Sequence, residues 1–191
     1  MPTLLTTLAA VKAWLNLPDT NINADDLLTG LITAASGWIE DTLERTIALT
    51  SYSRNFNGTG GTVLMLPEYP VVAVSAVSVG PIVIPAAPAP GSGPTTPVNG
   101  YLFDDSAIYL RGYKFERGVQ NVSASWQAGY ATVPVAVAQA AIELVSLRYK
   151  ERDRIGEQSK IIQGMQVNFS LKDMPADVAR ELMIYKKVIP V

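Results

Sequence analysis

The residue types that most often carry catalysis or bind metals are scarce in this chain of 191 residues. It contains no histidine and no cysteine. Without histidine, the usual general base near neutral pH and the commonest metal ligand are absent. Without cysteine there are no thiolate nucleophiles, disulfides or structural zinc sites of the common kind. Acid–base chemistry would therefore depend on carboxylates, and two adjacent pairs occur, Asp25-Asp26 and Asp104-Asp105.

Both carboxylate pairs have a structural explanation. Asp25-Asp26 follows Asn23, a predicted N-cap, and so falls in a first helical turn, where the helix dipole favours acids. Asp104-Asp105 falls at a turn between two predicted strands. The glycine-rich segment 58–61 lacks the lysine and the following helix of a phosphate-binding loop and indicates a hairpin turn. We therefore predict no enzymatic activity, no cofactor and no metal; a glycoside hydrolase built from distant carboxylates is the weakest alternative.

Helical periodicity predicts the elements at both ends of the chain. The patterns give helices over 7–16, 24–45 and 134–154, and a last helix from Pro175. Thr6 or Thr7 is the predicted N-cap of the first helix. The helices over 24–45 and 134–154 each carry two apolar stripes, which predicts that each is covered on two sides. Trp14 and Trp38, at helical spacing, are predicted to be core residues.

Alternating residues predict strands in the intervening region, 47–130. Val122, Ala124 and Trp126 alternate with polar residues, as in a strand with one buried face. Asn57-Gly58 predicts a hairpin between neighbouring strands. Residues 85–97 contain five prolines and no charge, which predicts an exposed, semi-extended loop or, alternatively, a contact arm to a neighbouring subunit.

Composition and charge limit the classes of partner. The chain is 48% hydrophobic and only 17% charged, and its net charge is −2. Spare apolar surface is often used in subunit contacts, whereas a negative balance argues against a protein that grips nucleic-acid phosphates. Residues 148–191 carry +3 and the remainder −5. The sequence shows neither a membrane-spanning run nor a secretory signal, and we expect synthesis in the cytoplasm.

Several segments together resemble one known family. They are Trp-Ile-Glu-Asp-Thr-Leu-Glu-Arg at 38–45, Asn57-Gly58, Leu-Met-Leu-Pro-Glu-Tyr-Pro-Val at 64–71, Trp-Gln-Ala-Gly-Tyr-Ala-Thr-Val-Pro at 126–134, and the charged stretch 148–156. In order and spacing, over about 20–190, the chain resembles the head-to-tail connector (adaptor) proteins of tailed bacteriophages. The Pro-rich loop 85–97 is the main stretch outside the resemblance.

The resemblance implies a structural protein of the virion neck, made in the host cytoplasm. Such proteins form a homo-oligomeric ring, typically twelve-fold, between the capsid portal and the tail or stopper proteins. The viral dsDNA passes through the lumen without specific binding, and no membrane is involved. The predicted fold class is α+β: a helical subunit with two N-terminal helices, a long central helix, a C-terminal helix and an inserted antiparallel β region. Its predicted domains are a connector core, 1–156, and a C-terminal arm and helix, 157–191.

Two sets of residues follow as candidate contact sites. The final helix and its flanks are the predicted portal-binding element: Val178, Leu182, Tyr185, Lys186 and Lys187. The predicted subunit interface comprises Trp38, Ile39, Ile142, Val145, Tyr149, Arg152 and Arg154. Docking of the last helix onto the protein's own core is the alternative for the first set. For the whole chain, the alternatives are a stopper or tail-terminator component, or a carbohydrate-binding β module.

Overall fold

The helices and strands come from a computed structural model of the chain. It describes residues 3–18, 20, 22–88, 98–152, 159–162, 165–168 and 176–187. In chain order the elements are α1 (Leu8–Leu15), α2 (Asp25–Leu43), β1 (Thr50–Gly58), β2 (Val63–Met65), β3 (Val71–Val79), β4 (Ile82–Ile84), β5 (Gly100–Phe103), β6 (Ala107–Arg111), β7 (Gly118–Ala128), α3 (Val135–Glu151), β8 (Ser159–Ile162), β9 (Met165–Asn168) and α4 (Ala176–Met183).

These elements divide into two units. The helical unit combines Met1–Ile47 with Val133–Lys187, and the sheet unit is formed by Ala48–Thr132. In the helical unit, α1, α2, α3 and α4 pack around residues that are almost fully buried: Val11, Leu28, Ile32, Ala35, Ile39, Leu43, Val137, Ala141, Leu144, Val145, Val178 and Leu182. The side-chain oxygen of Thr7 accepts a hydrogen bond from the Ala10 amide at 3.2 Å, which confirms the predicted cap of α1. For α2 the N-cap is Ala24, without a side-chain bond, so the prediction of Asn23 is wrong.

Strand β7 is the organising strand of the sheet unit. It pairs antiparallel with both β1 and β3 in a four-stranded sheet of order β1-β7-β3-β4. Its residues Val122, Ala124 and Trp126 are at most 1% exposed, which confirms the predicted alternation. Tyr52 and Phe56 of β1 pack on the Trp126 ring, at centroid distances of 5.5 and 5.9 Å. Aromatic contacts of this kind add to the burial of the core.

A second sheet completes this unit. Its order is β2-β6-β5 and all its pairs are antiparallel. The buried residues of both sheets and of their connections, among them Leu66, Ile108, Phe115 and Trp126, form one hydrophobic cluster. Strands β8 and β9 form a separate two-stranded antiparallel ribbon.

The predicted fold class, a helical subunit with a long central helix and an inserted β region, is wrong. The chain is a mix of four described helices and two main antiparallel sheets, and the sheets enclose a core of their own around Trp126. Helix α3, with 17 residues, is shorter than α2, with 19. The two apolar stripes of each helix suggested a dominant helical core, but the stripes do not reveal how much apolar surface the strands bury among themselves.

The hairpin predicted at Asn57-Gly58 is also wrong. β1 and β2, on either side of this segment, belong to different sheets: β1 pairs with β7 and β2 with β6. The loop between β1 and β2 is instead bonded to the segment before β7. The Gly60 amide donates to the Phe115 carbonyl at 2.6 Å, and the Phe115 amide donates to the Gly61 carbonyl at 2.8 Å. A turn dipeptide favours reversal of the chain locally, but the pairing partner is chosen by packing over long sequence distances.

The first part of the predicted Pro-rich loop is tied to the second sheet. The Tyr101 amide donates to the Pro85 carbonyl at 2.8 Å, and the Ala87 amide donates to the Tyr101 carbonyl at 2.9 Å. Residues 89–97 of the loop lie outside the described residues. The expectation of an exposed loop or contact arm over that stretch therefore stays a prediction.

Candidate assembly surfaces

The carboxylate pair Asp104-Asp105 holds a turn. One oxygen of Asp104 accepts from the Ser106 and Ala107 amides, both at 2.8 Å, and the Tyr109 hydroxyl donates to its other oxygen at 2.7 Å. The bond from the Ser106 amide, and next the bond from Tyr109, lower the pKa of Asp104 below its usual value. The hydrogen bond between Tyr109 and Asp104 raises the pKa of the Tyr109 hydroxyl group. A carboxylate stabilised as an acceptor in this way suits a turn and is poorly suited to abstract a proton.

Asp25, in the other pair, forms an ion pair. Its carboxylate lies 2.5 Å from the ammonium nitrogen of Lys12 on α1, which is only 3% exposed. A buried ammonium requires such a partner because its transfer from water is costly. Among the described residues there is no cluster of three acids that could hold a metal ion. Nor does the described part of the chain include a helix long and apolar enough to cross a membrane.

The predicted portal-binding residues are divided by the packing of α4. Val178 and Leu182 are 8% and 2% exposed and face the interior of the helical unit, where α4 packs on α3. Tyr185 and Lys187 are half-buried, and Lys186 is exposed. Docking of the last helix on the protein's own core therefore accounts for Val178 and Leu182. Contact of any of the five residues with a portal stays a prediction.

The segment after α4 is attached to the end of α2. The Lys187 amide donates to the Leu43 carbonyl at 3.0 Å, and Arg45 donates to the Tyr185 carbonyl at 3.4 Å. Lys186 lies 3.3 Å from the carboxylate of Glu44. Basic groups at this place are favourable because the carbonyl end of a helix carries partial negative charge.

Glu40, one turn before the end of α2, lies in the same region. Burial raises the pKa of its carboxyl group; the hydrogen bond that it accepts from the Ile47 amide at 3.2 Å lowers the pKa, and the nearby Asp41 raises it. Hydrogen bonds and an ion pair therefore join the acidic end of α2 to the segment after α4 and to Ile47.

One of the two apolar stripes of α2 is left uncovered by the described residues. Leu28, Ile32, Ala35, Ile39 and Leu43 are buried, whereas the second stripe, on the adjoining side of the helix, is exposed or half-buried. We call this the outer stripe of α2; it consists of Leu27, Leu31, Ala34 and Trp38. Trp14 of α1 is 53% exposed, so the prediction that Trp14 is a core residue is wrong.

The predicted interface residues are likewise divided between core and surface. Ile39 and Val145 are completely buried in the helical unit. Trp38, Ile142 and Tyr149 are half-buried, and Arg152 is exposed. The Arg152 guanidinium lies 4.1 Å from the centre of the Tyr149 ring, a cation–π arrangement, and donates to the Tyr149 carbonyl at 3.1 Å. Arg154 lies outside the described residues.

Charge is distributed unevenly between these two helices. α2 carries Asp25, Asp26, Glu40 and Asp41 and no basic residue. The last turn of α3 carries Arg148 and Lys150, followed by Arg152. The helical unit therefore contains one acidic helix and one helix end in which basic residues outnumber the single acid, Glu151.

Some exposed apolar residues were not predicted as sites from the sequence. Ile184, just beyond α4, is 82% exposed, and Val83 on β4 is 75% exposed. Ile184 falls between Leu182 and Tyr185 and therefore off their stripe, which is the signal that could have identified it. No local signal identifies Val83, since a Val-rich strand has the same sequence pattern whether it lies at the centre or at the edge of a sheet.

Comparison with known proteins gives a consistent family and fold. The model of a family described as head completion protein matches residues 4–188. The neck of an empty gene transfer agent (GTA) particle, computed with C6 symmetry, contains a chain that is 21% identical, with a TM-score of 0.57 over 96% of this chain and 90% of that one.

Two further GTA structures share the fold. A chain from the virion of a native GTA particle is 20% identical, with a TM-score of 0.56 over 96% of this chain and 90% of that one. A chain from the neck of a native GTA particle, computed with C12 symmetry, is 20% identical, with a TM-score of 0.54 over 100% of this chain and 97% of that one. No curated protein sequence matches this chain.

Proposed function

The chain belongs to the head completion protein family, and we propose that it is a structural protein of a virion neck, where it forms a ring that joins the capsid portal to the tail. The resemblance to head-to-tail connector proteins is confirmed by this family membership and agrees with the neck structures that share the fold. The family has a structural role, and we expect no catalytic activity. The observation that carries the proposal is the outer stripe of α2, an apolar surface that the described residues of the helical unit leave exposed or half-buried.

We assign the outer stripe to the contact between adjacent copies. Burial of Leu27, Leu31 and Trp38 would remove apolar surface from water, which is the main favourable term in association. The basic end of α3 on the next copy, with Tyr149 and Arg152, supplies the opposite charge to the acidic α2. Because the two surfaces differ, the contact is heterologous, and a heterologous contact generates a ring when its rotation closes. Twelve copies would agree with the C12 symmetry of one similar neck.

Ile39 and Val145 take a different part in this proposal. Since both are fully buried within one subunit, they support the two contact faces from beneath and do not touch the neighbour. In this proposal the contact itself is made by the surface residues of the predicted set, Trp38, Ile142, Tyr149 and Arg152. Arg154 is included on the basis of the sequence alone.

Portal binding is proposed for the exposed end of the last helix. Ile184 and Lys186 are accessible there, with Tyr185 and Lys187 beside them. The anchoring of this segment at the end of α2 holds it in one geometry before the portal arrives, which reduces the ordering cost of binding. Stopper or tail proteins would take another surface of the ring, and the net negative chain would let DNA slide through without adhering.

The mass of the purified protein, alone and with its portal, tests the proposal. We expect a closed ring at least when the portal is present. Leu27→Glu places a charge on the outer stripe and should abolish the ring, whereas Thr29→Glu adds the same charge to an exposed position on another side of α2 and should leave it intact. Monomers in both conditions, in the unmodified protein, would refute the proposal.

A further inference from the structure

The four-stranded sheet has an outer face, on the side away from its core around Trp126. Directly opposed residues of paired strands share a face, so the register identifies three rows on this side. The rows are Ser51–Gln127–Ala73, Ser53–Ser125–Ala76 and Asn55–Ser123–Ser78–Val83. Each of these residues is exposed or half-buried among the described residues, and none of them is charged. We call this set of residues the serine face.

The serine face differs from a solvated surface in its charge and in its hydrogen bonds. About a quarter of the residues of soluble domains are charged, and most of these lie at the surface, whereas the centre of an interface is depleted of charge. The hydroxyl oxygens of Ser53 and Ser125 are 3.0 Å apart, and the side-chain amide of Gln127 donates to the Ser51 hydroxyl oxygen at 3.3 Å. Because these polar groups bond to one another, an apolar surface can cover them without leaving them unpaired, which would be costly.

The three-stranded sheet has an apolar outer face. Val63, Tyr109 and Leu102 lie directly opposite one another across β2, β6 and β5. The strand residues next to them belong to the shared core, so this row lies on the outer side: Leu64, Tyr101, Ile108 and Leu110. Val63, Met65 and Tyr109 are 42%, 46% and 40% exposed, and Leu102 is half-buried. We call Val63, Met65, Leu102 and Tyr109 the apolar face; the Tyr109 hydroxyl already donates to Asp104 and needs no further partner.

We propose that the serine face of one copy packs against the apolar face of the next copy, sheet on sheet. The two sheets enclose one core, so their outer faces lie on different sides of the sheet unit, and one copy can contact two neighbours head to tail, as a ring requires. The small serine and alanine side chains allow a second sheet to approach closely, and Val63, Met65 and Tyr109 supply the apolar area that drives association. This inference rests on the proposed ring, to which it adds a second contact, made by the sheet units.

Cross-linking of cysteine variants tests the contact directly, because the chain has no cysteine of its own. An Ala76→Cys protein is mixed with a Met65→Cys protein of different tag length, assembled with portal and treated with a short bis-maleimide. We expect a cross-linked heterodimer. Ile82→Cys is the matched control: it is 53% exposed and belongs to the same sheet, but it lies opposite the buried Val79 and therefore on the other face. Mixed with Met65→Cys, it should give no heterodimer.

A charge placed on the serine face tests whether assembly needs the contact. Ala76→Glu would bury a carboxylate without a partner in the contact, which should raise the protein concentration needed for half-assembly on the order of a hundredfold. Ala76 is exposed in the single subunit, so the circular dichroism spectrum should be unchanged. Ile82→Glu, on the other face, should assemble as the unmodified protein does. If Ala76→Glu does not fold, Val83→Glu, at a position that is 75% exposed, replaces it.

The results separate this inference from the proposed function. Rings that form with portal but give no heterodimer between Ala76→Cys and Met65→Cys would overturn the sheet contact and leave the neck function standing. Homodimers of Ala76→Cys alone would overturn it as well, since they indicate a two-fold contact between serine faces. Normal assembly of a folded Ala76→Glu protein would have the same consequence. Absence of any ring in the unmodified protein would refute the proposed function together with this contact.

Discussion

Substitution of Leu182 by alanine is the sharpest test of where the last helix docks. α4 has eight residues, and an isolated helix of that length is unstable in water. Its persistence therefore depends on the contact that Leu182, 2% exposed, makes inside the helical unit. A buried Leu→Ala change costs about 2–5 kcal/mol. For a protein of this size, each kcal/mol lowers the midpoint of thermal unfolding by about 2–4 °C, so we expect a loss of roughly 6–12 °C for a cost of about 3 kcal/mol.

Ile184→Ala is the matched control, two residues further along and 82% exposed. Exposed substitutions are usually within about 0.5 kcal/mol of neutral, so its unfolding midpoint should be unchanged while its affinity for portal falls. Thermal unfolding followed by circular dichroism, together with a portal pull-down, measures both. An unchanged midpoint in Leu182→Ala would show that α4 is not held by the helical core, and would return Leu182 to the portal-binding surface.

Further predictions concern the carboxylates. Asp25→Asn removes the ion pair between Asp25 and the buried Lys12 and should destabilise the protein by about 1–3 kcal/mol, whereas the exposed Asp26→Asn should be nearly neutral in the same denaturant titration. The lowered pKa of Asp104 means that its contribution to stability is present above the unfolded pKa of about 3.9 and is lost as the pH falls through the folded value. The difference in unfolding midpoint between the unmodified protein and Asp104→Asn should thus shrink below about pH 4. Tyr109→Phe removes one donor and should raise the pKa of Asp104 toward its ordinary value, as measured by NMR titration of the carboxyl carbon; an unchanged pKa would contradict the assigned bond.

The division into two units gives these predictions separate readouts. Leu182, Lys12 and Asp25 belong to the helical unit, and Asp104 and Tyr109 to the sheet unit. Their contacts share no partner, so their effects on stability should add. A double variant of Leu182→Ala and Asp104→Asn that departs from additivity would indicate coupling between the units.

The sequence by itself determined the properties that depend on composition or on neighbours along the chain. A chain without histidine and cysteine lacks the usual general base near neutral pH and the commonest ligands of structural zinc, whatever its fold. The predicted N-cap at Thr7 and the alternation of Val122, Ala124 and Trp126 were correct, because capping and strand periodicity act over a few residues. The family resemblance was also correct, since the order and spacing of its segments are sequence properties.

Only the tertiary structure decided which surfaces are covered. The sequence contains two apolar stripes on α2, and nothing local indicates that Leu28 and Ile32 are buried while Leu27 is exposed and Leu31 half-buried. The same holds for Trp14, whose helical spacing predicts burial although the described residues leave half of it exposed. Burial of a helix face depends on which other elements pack there, and these lie far away in the chain.

Strand pairing followed the same rule. Asn57-Gly58 favours a local turn, yet Phe56 pairs with Val122, 66 residues further along, because that register packs the partly buried Tyr52 and Phe56 against Trp126. The gain from joining both sheets in one core exceeds what an isolated hairpin offers. Local sequence therefore sets the period and the ends of each element, whereas long-range burial selects its partner and its exposed face.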